Sequence, residues 1–173
     1  MIIKTSIIEE LQTKGFIIYK VQGRSMEPML LPNRDIVTIK KIDNPNLSEN
    51  DVVLFQKNGK LILHRIIEVK SDGTFTILGD NCSIKDEGIT KEEIIGKLIT
   101  FIHNGARYNI TDPIYLQYVK ILRQTEKSRM IKKRIIDSLS WHLRYLPPNI
   151  LSNIKQFLKK ILKYQLYFAN ERI

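Results

Sequence analysis

The sequence predicts a mainly β fold. A compact, mostly antiparallel β domain occupies residues 16–111, a short helix precedes it at 1–15, and a basic α-helical extension follows at 112–173. Three observations carry this reading. Short runs rich in Ile, Val, Leu and Phe alternate with Gly, Asn and Asp turns up to about residue 111. The apolar period then becomes helical, near Thr111-Asp112-Pro113. The charge changes at the same place: residues 112–173 hold 13 Lys and Arg against 4 Asp and Glu, from chain totals of 28 and 18. A nearly neutral domain thus carries a strongly basic tail, which holds most of the net +10.

Residues 4–14 form the expected first helix, with Thr5 or Ser6 as cap, Ile7, Ile8 and Leu11 as its apolar stripe, and Gly15 just past its end. Strands are expected at 16–21, 35–40, 51–56, 60–70, 74–78 and 94–102, with a last short one near Tyr108. Asn58-Gly59 is the strongest hairpin signal, joining the third strand to the fourth. Asp72-Gly73 and Asn104-Gly105 mark further turns. Pro113 suits the first turn of a helix behind a cap. Ile114, Tyr118, Ile121 and Leu122 then fall on one helical face, as do Ile131, Ile135, Leu139 and Leu143. After the Pro147-Pro148 break, Leu151, Ile154, Phe157, Leu158, Ile161 and Leu162 oppose Lys155, Lys159, Lys160 and Lys163.

Composition excludes several classes. Cys82 is the only cysteine, so neither an internal disulfide nor a cysteine-rich zinc site can form, and a reducing compartment suits the chain. Glu9 and Glu10 interrupt the N-terminus too early for a secretory signal. No uncharged stretch is long enough to cross a bilayer. A cytoplasmic location is therefore expected, with no signal peptide and no membrane-spanning helix.

Three segments carry chemistry. Gly23-Arg24-Ser25-Met26-Glu27-Pro28 follows a strand, where a serine would stand on a turn at a strand end; a rigid β-turn with Met26 in the core reads equally well. His64-Arg65 lies in the apolar run Leu61–Ile67. If Leu61, Leu63, Arg65 and Ile67 share one side, then Ile62, His64 and Ile66 share the other. That places His64 in a dry, oriented position suited to a general base, or simply in the core. Gly79-Asp80-Asn81-Cys82-Ser83-Ile84-Lys85-Asp86 is turn chemistry with acids that could be solvated. His103 and His142 have no ligand-spaced partners and read as structural or surface residues.

The order of the three segments resembles the type I signal peptidases, of the signal-peptidase/SOS-repressor serine peptidase superfamily. Ser-Met-x-Pro comes first, then a strand with His-Arg, then Gly-Asp-Asn with an Asp six residues after the first. The resemblance spans roughly residues 16–103 and is closest to the endoplasmic-reticulum type, which has histidine where the common bacterial type has lysine. It implies a coiled antiparallel β-sheet with a hydrophobic substrate groove and cleavage after small residues. It implies Ser25 as nucleophile, His64 as base and Asp86 as the acid orienting His64. Asp80 and Met26 would shape the site. The Ser25 N–H would form part of the oxyanion hole, and Gly23 occupies a position where some members supply a second donor from a serine hydroxyl. No cofactor or metal is called for.

The implied function is a serine endopeptidase that removes a signal or leader segment from a precursor. A non-catalytic peptide-binding module of the same fold and a self-cleaving repressor are the alternatives. The basic tail fits a solvated helix face, an anionic membrane surface, an acidic leader or nucleic-acid phosphates. Peripheral membrane contact is an expected option and nucleic acid is not an expected partner, because about 15 residues before the first strand are too few for a helix-turn-helix.

Overall fold

The computed structural model describes residues 2–42 and 46–142. Helix α1 (Ile2–Lys14) leads into β1 (Phe16–Lys20), β2 (Ile36–Lys41), β3 (Val52–Lys57), β4 (Lys60–Val69), β5 (Phe75–Leu78) and β6 (Asp86–Ile89). A 3-10 turn at Lys91–Glu93 precedes β7 (Ile94–His103) and β8 (Ala106–Asn109), and helices α2 (Pro113–Gln124) and α3 (Glu126–His142) follow. Each strand expected from the sequence is present. Strand β6 was not expected, and its Asp86-Glu87-Gly88 explains why: none of the three favours a strand. Its pairing with β5, with Ile77 opposite Asp86, makes it one.

The eight strands form one antiparallel sheet in the order β1-β2-β7-β3-β4-β5-β6, with β8 also on β7. The hairpin signals are realised as such. Asn58 and Gly59 both have positive φ, as do Asn104 and Gly105, the geometry that matches strand twist in a two-residue turn. Irregularities at Thr38/Ile39, Leu54/Phe55, Ile66/Glu68 and Phe75/Ile77 interrupt the register. Such irregularities raise local twist and let a sheet coil on itself.

The coiled sheet encloses two apolar cores. One gathers Leu11, Met26, Met29, Leu30, Leu98 and Phe101 with the buried face of α2. The other gathers Val53, Phe55, Ile66, Phe75, Ile77 and Ile89. The alternation expected along β4 holds: Leu61 and Leu63 pack on the first core, Ile62 and Ile66 on the second.

Helix α2 starts with Pro113 behind the N-cap Asp112, as expected. Its buried face is corrected in part. Tyr118 and Leu122 are buried, but Tyr115 and Val119 complete the face, while Ile121 is 38% exposed. The reason is polar: the Tyr115 hydroxyl accepts a hydrogen bond from buried Arg65 (2.9 Å), which rotates the helix toward its tyrosines. Of the stripe expected on α3, Ile131 and Ile135 are exposed, and Leu143 lies outside the described residues. Among the described residues no helix is long and apolar enough to cross a membrane. The Pro147-Pro148 break and the Leu151–Leu162 face lie outside the described residues.

Candidate active site

Ser25 stands on the loop that leaves β1. The loop is closed at its base by Val21 N to Asp35 O (2.9 Å) and Asn33 N to Val21 O (2.6 Å). Below Ser25 it is anchored by Met26, Met29 and Leu30, all buried. Three apolar side chains within five residues of a serine therefore hold a half-buried hydroxyl at the sheet's end. Asp35 reinforces the base, accepting from Leu31 N (2.7 Å) and Arg34 Nε (2.6 Å) and meeting His103 Nδ1 at 2.8 Å. Burial opposes the Asp35 charge, but these partners outweigh it and lower its pKa. His103 is thus a buried structural residue.

His64 projects from β4 opposite Val53, buried against the Phe55 ring. Its Nδ1 lies 3.3 Å from Asp86 Oδ2, close enough for charge to act but not aligned as a hydrogen bond. The other oxygen of Asp86 accepts from Lys57 Nζ at 2.8 Å. Burial lowers the His64 pKa below its ordinary 6.5, and the Asp86 and Asp80 charges only partly oppose this. The imidazole is therefore neutral at pH 7 and able to accept a proton.

Gly79 is where serine and histidine meet. A Cβ at this position would fall 2.7 Å from the Ser25 carbonyl O, 2.9 Å from His64 Nε2 and 2.7 Å from Cys82 Sγ. No side chain fits, so glycine leaves the gap through which Nε2 approaches the Ser25 segment. Ser25 Oγ and the ring are not hydrogen-bonded in this state; contacts of this kind commonly tighten when substrate binds. Gly23 is exposed, and a Cβ there would stand 4.0 Å from Ser25 Oγ, so position 23 faces the hydroxyl.

The rest of the Gly-Asp-Asn turn divides the structural work. Asn81 N donates to Ser25 O (2.7 Å), and Asn81 Nδ2 donates to Arg24 O (3.1 Å). Asp80, buried, takes both arms of the buried Arg65 at 2.9 and 2.8 Å. It also accepts from Tyr118 OH at 2.9 Å. Burial and the Asp80 charge push the Tyr118 phenol well above its ordinary pKa, so it stays a donor. Because Arg65 follows His64 on β4, the Arg65–Asp80 pair ties the histidine strand to this turn. Asp80 is thus remote from the His64 ring nitrogens in its bonding, whereas Asp86 faces one of them. Burial raises the Cys82 thiol, which keeps it protonated beside the site.

A cavity of about 330 Å³ opens from Ser25 and Gly23. Its walls are mostly apolar, including Ile17, Tyr19, Val21, Leu61 and Leu63, with Ile7 of α1 closing one side. Expected residues Ser25, His64, Asp86, Gly23, Met26 and Asp80 are therefore gathered at one end of the sheet. The sequence reading gave Gly79 and Asn81 only as turn residues of the third segment and Tyr118 only as a helix-face residue, and it did not single out Lys57 or Tyr115. The first two were visible as turn residues; their contacts to Arg24 and Ser25, over fifty positions away, were not.

A family model described as Peptidase S24-like matches residues 4–99, more than half of the 173-residue chain. No curated protein matches it.

Proposed function

Because the chain belongs to the Peptidase S24-like family, within the signal-peptidase/SOS-repressor superfamily, we propose that it is a serine endopeptidase acting through Ser25, His64 and Asp86. The observation that carries the reading is the convergence at Gly79 of the Ser25 main chain and His64 Nε2, with Asp86 on the far nitrogen.

In this mechanism a substrate peptide lies in the apolar cavity with its scissile carbonyl over Ser25. Oγ attacks that carbonyl while His64 Nε2 takes the hydroxyl proton. The Ser25 N–H stabilises the resulting oxyanion; removing one such donor typically costs about 10²–10³ in rate. His64 then hands the proton to the leaving amine, the C–N bond breaks and an acyl-enzyme remains. Water, deprotonated by His64, releases the acyl group. Asp86 stabilises the transient imidazolium by its charge and keeps the ring oriented.

The substrate is proposed to be a precursor with a signal or leader segment, as the histidine-type signal-peptidase pattern of Ser25, His64 and Asp86 suggests. The extension adds peripheral contact with an anionic membrane, supported by exposed Ile131 and Ile135 among the basic residues of α3. The test is to express wild type and Ser25→Ala and compare the N-termini of small secreted or modified peptides by mass spectrometry. Leaders kept only in the mutant are the expected result. Identical profiles, together with an uncleaved chain by intact mass, would leave a peptide-binding module. A self-cut chain in the wild type alone would favour a repressor-like regulator, the activity of other members of the superfamily.

A further inference from the structure

The helices that follow the family-matched segment are bonded into the turn beside Ser25. We propose that Arg129 on α3 and Tyr118 on α2 are positioning residues, holding the 79–82 turn where Asn81 fixes Ser25 and Gly79 admits His64. This rests on the peptidase reading above.

Asp80 is the point of contact. Its carboxylate binds Arg65 of β4, next to His64, and Tyr118 of α2. Its carbonyl accepts from Arg129 Nη1, and Arg129 Nη2 donates to Leu122 O at 3.1 Å. One guanidinium thus joins α2, α3 and the turn. A second tie lies nearby: Lys85 meets Glu126 at 3.2 Å, and Glu126 also accepts from Arg123 at 2.6 Å. Asn81, on one side of Asp80, donates to the Ser25 carbonyl, and Gly79, on the other, is where a Cβ would strike that carbonyl. A small shift of Asp80 therefore moves the Asn81 amide off the Ser25 carbonyl and narrows or opens the Gly79 gap. The cavity walls lie mainly on β1, β2, β4 and the loop that follows β1, and among the described residues α2 and α3 supply none of the lining. Loosening this clamp accordingly slows the chemical step and leaves binding in the cavity unchanged.

The test uses the full-length chain and a fluorophosphonate probe. Ser25 Oγ displaces fluoride from phosphorus, forming a P–O bond as the P–F bond breaks, and the hydroxyl proton passes to His64. Intact mass follows the labelling, with Ser25→Ala as the blank. Arg129→Ala and Tyr118→Phe are expected to lower the maximal labelling rate by about 10- to 100-fold, the scale of a small misplacement of reacting groups. The half-saturating probe concentration should stay as in wild type, and Arg129→Lys should recover part of the rate. Independently, amide exchange at Asn81 and Cys82 should quicken in Arg129→Ala while that of β7 does not. Wild-type labelling rates and wild-type exchange in both variants would overturn the clamp and leave the peptidase standing. An unlabelled wild type with faster Asn81 exchange in Arg129→Ala would do the reverse. Should Arg129→Ala not fold, Arg129→Lys and Tyr118→Phe carry the same measurements.

Discussion

His64 concentrates the residue-scale chemistry. A neutral imidazole is the active form of a base, and burial holds the His64 pKa below 6.5. Activity should therefore persist as pH falls through 6.5 and fail only at lower pH, as His64 takes up its proton. A pH profile of cleavage or Ser25 labelling checks the sign, and an acid limb above 6.5 would contradict the burial argument. His64→Ala should remove nearly all activity, on the order of 10⁶-fold for a group acting as part of a triad. Gly79→Ala is the sharper probe of geometry. Its methyl would collide with Ser25 O and His64 Nε2, so labelling should fall even where the variant stays folded, as read by thermal unfolding. That Ser25, His64 and Asp86 lie close together was legible from three motifs in order. The role of Gly79 was not, since a glycine in a turn ordinarily signals backbone conformation and here it signals missing volume.

At the scale of elements, the strands were legible because each is a β-branched or apolar run bounded by turn residues. Boundaries moved by a residue or two as pairing extended or trimmed them. Strand β6 was hidden because its own residues do not favour a strand. The Arg65–Asp80 pair shows a further limit. Two charged residues fifteen positions apart give no sign in sequence that both are buried, yet they join β4 to the turn and to α2. Removing one partner leaves a buried uncompensated charge, so Asp80→Ala should cost about 3–5 kcal/mol in urea unfolding. A loss below about 1 kcal/mol, the range of exposed pairs, would show that water reaches the pair.

Among the described residues the molecule is a coiled sheet with the candidate site at its end, followed by helices α2 and α3. Charge asymmetry in the sequence suggests two parts, yet Tyr115, Tyr118, Val119 and Leu122 of α2 pack into the first apolar core. The proposed contact with a lipid surface of negative charge would use exposed Ile131 and Ile135 beside Lys127, Lys132, Lys133 and Arg134. The full chain should therefore sediment with phosphatidylserine-containing vesicles at low salt, release as salt rises, and bind neutral vesicles weakly. Equal binding to neutral vesicles would point to apolar contact alone, and no binding to either would leave the basic face simply solvated.

By itself the sequence determined the mainly β class, the switch to helix at Pro113, the hairpins at Asn-Gly and the three segments that the fold brings together. Each of these is a local property, written in side-chain period, turn residues and motif order. Only the tertiary structure decided that Asp86 rather than Asp80 faces His64, that Asn81 holds the Ser25 segment, and that α2 and α3 grip Asp80. These depend on sheet coiling and on which charges lose their water. Both follow from packing between residues far apart in the chain, and no window of sequence contains that information.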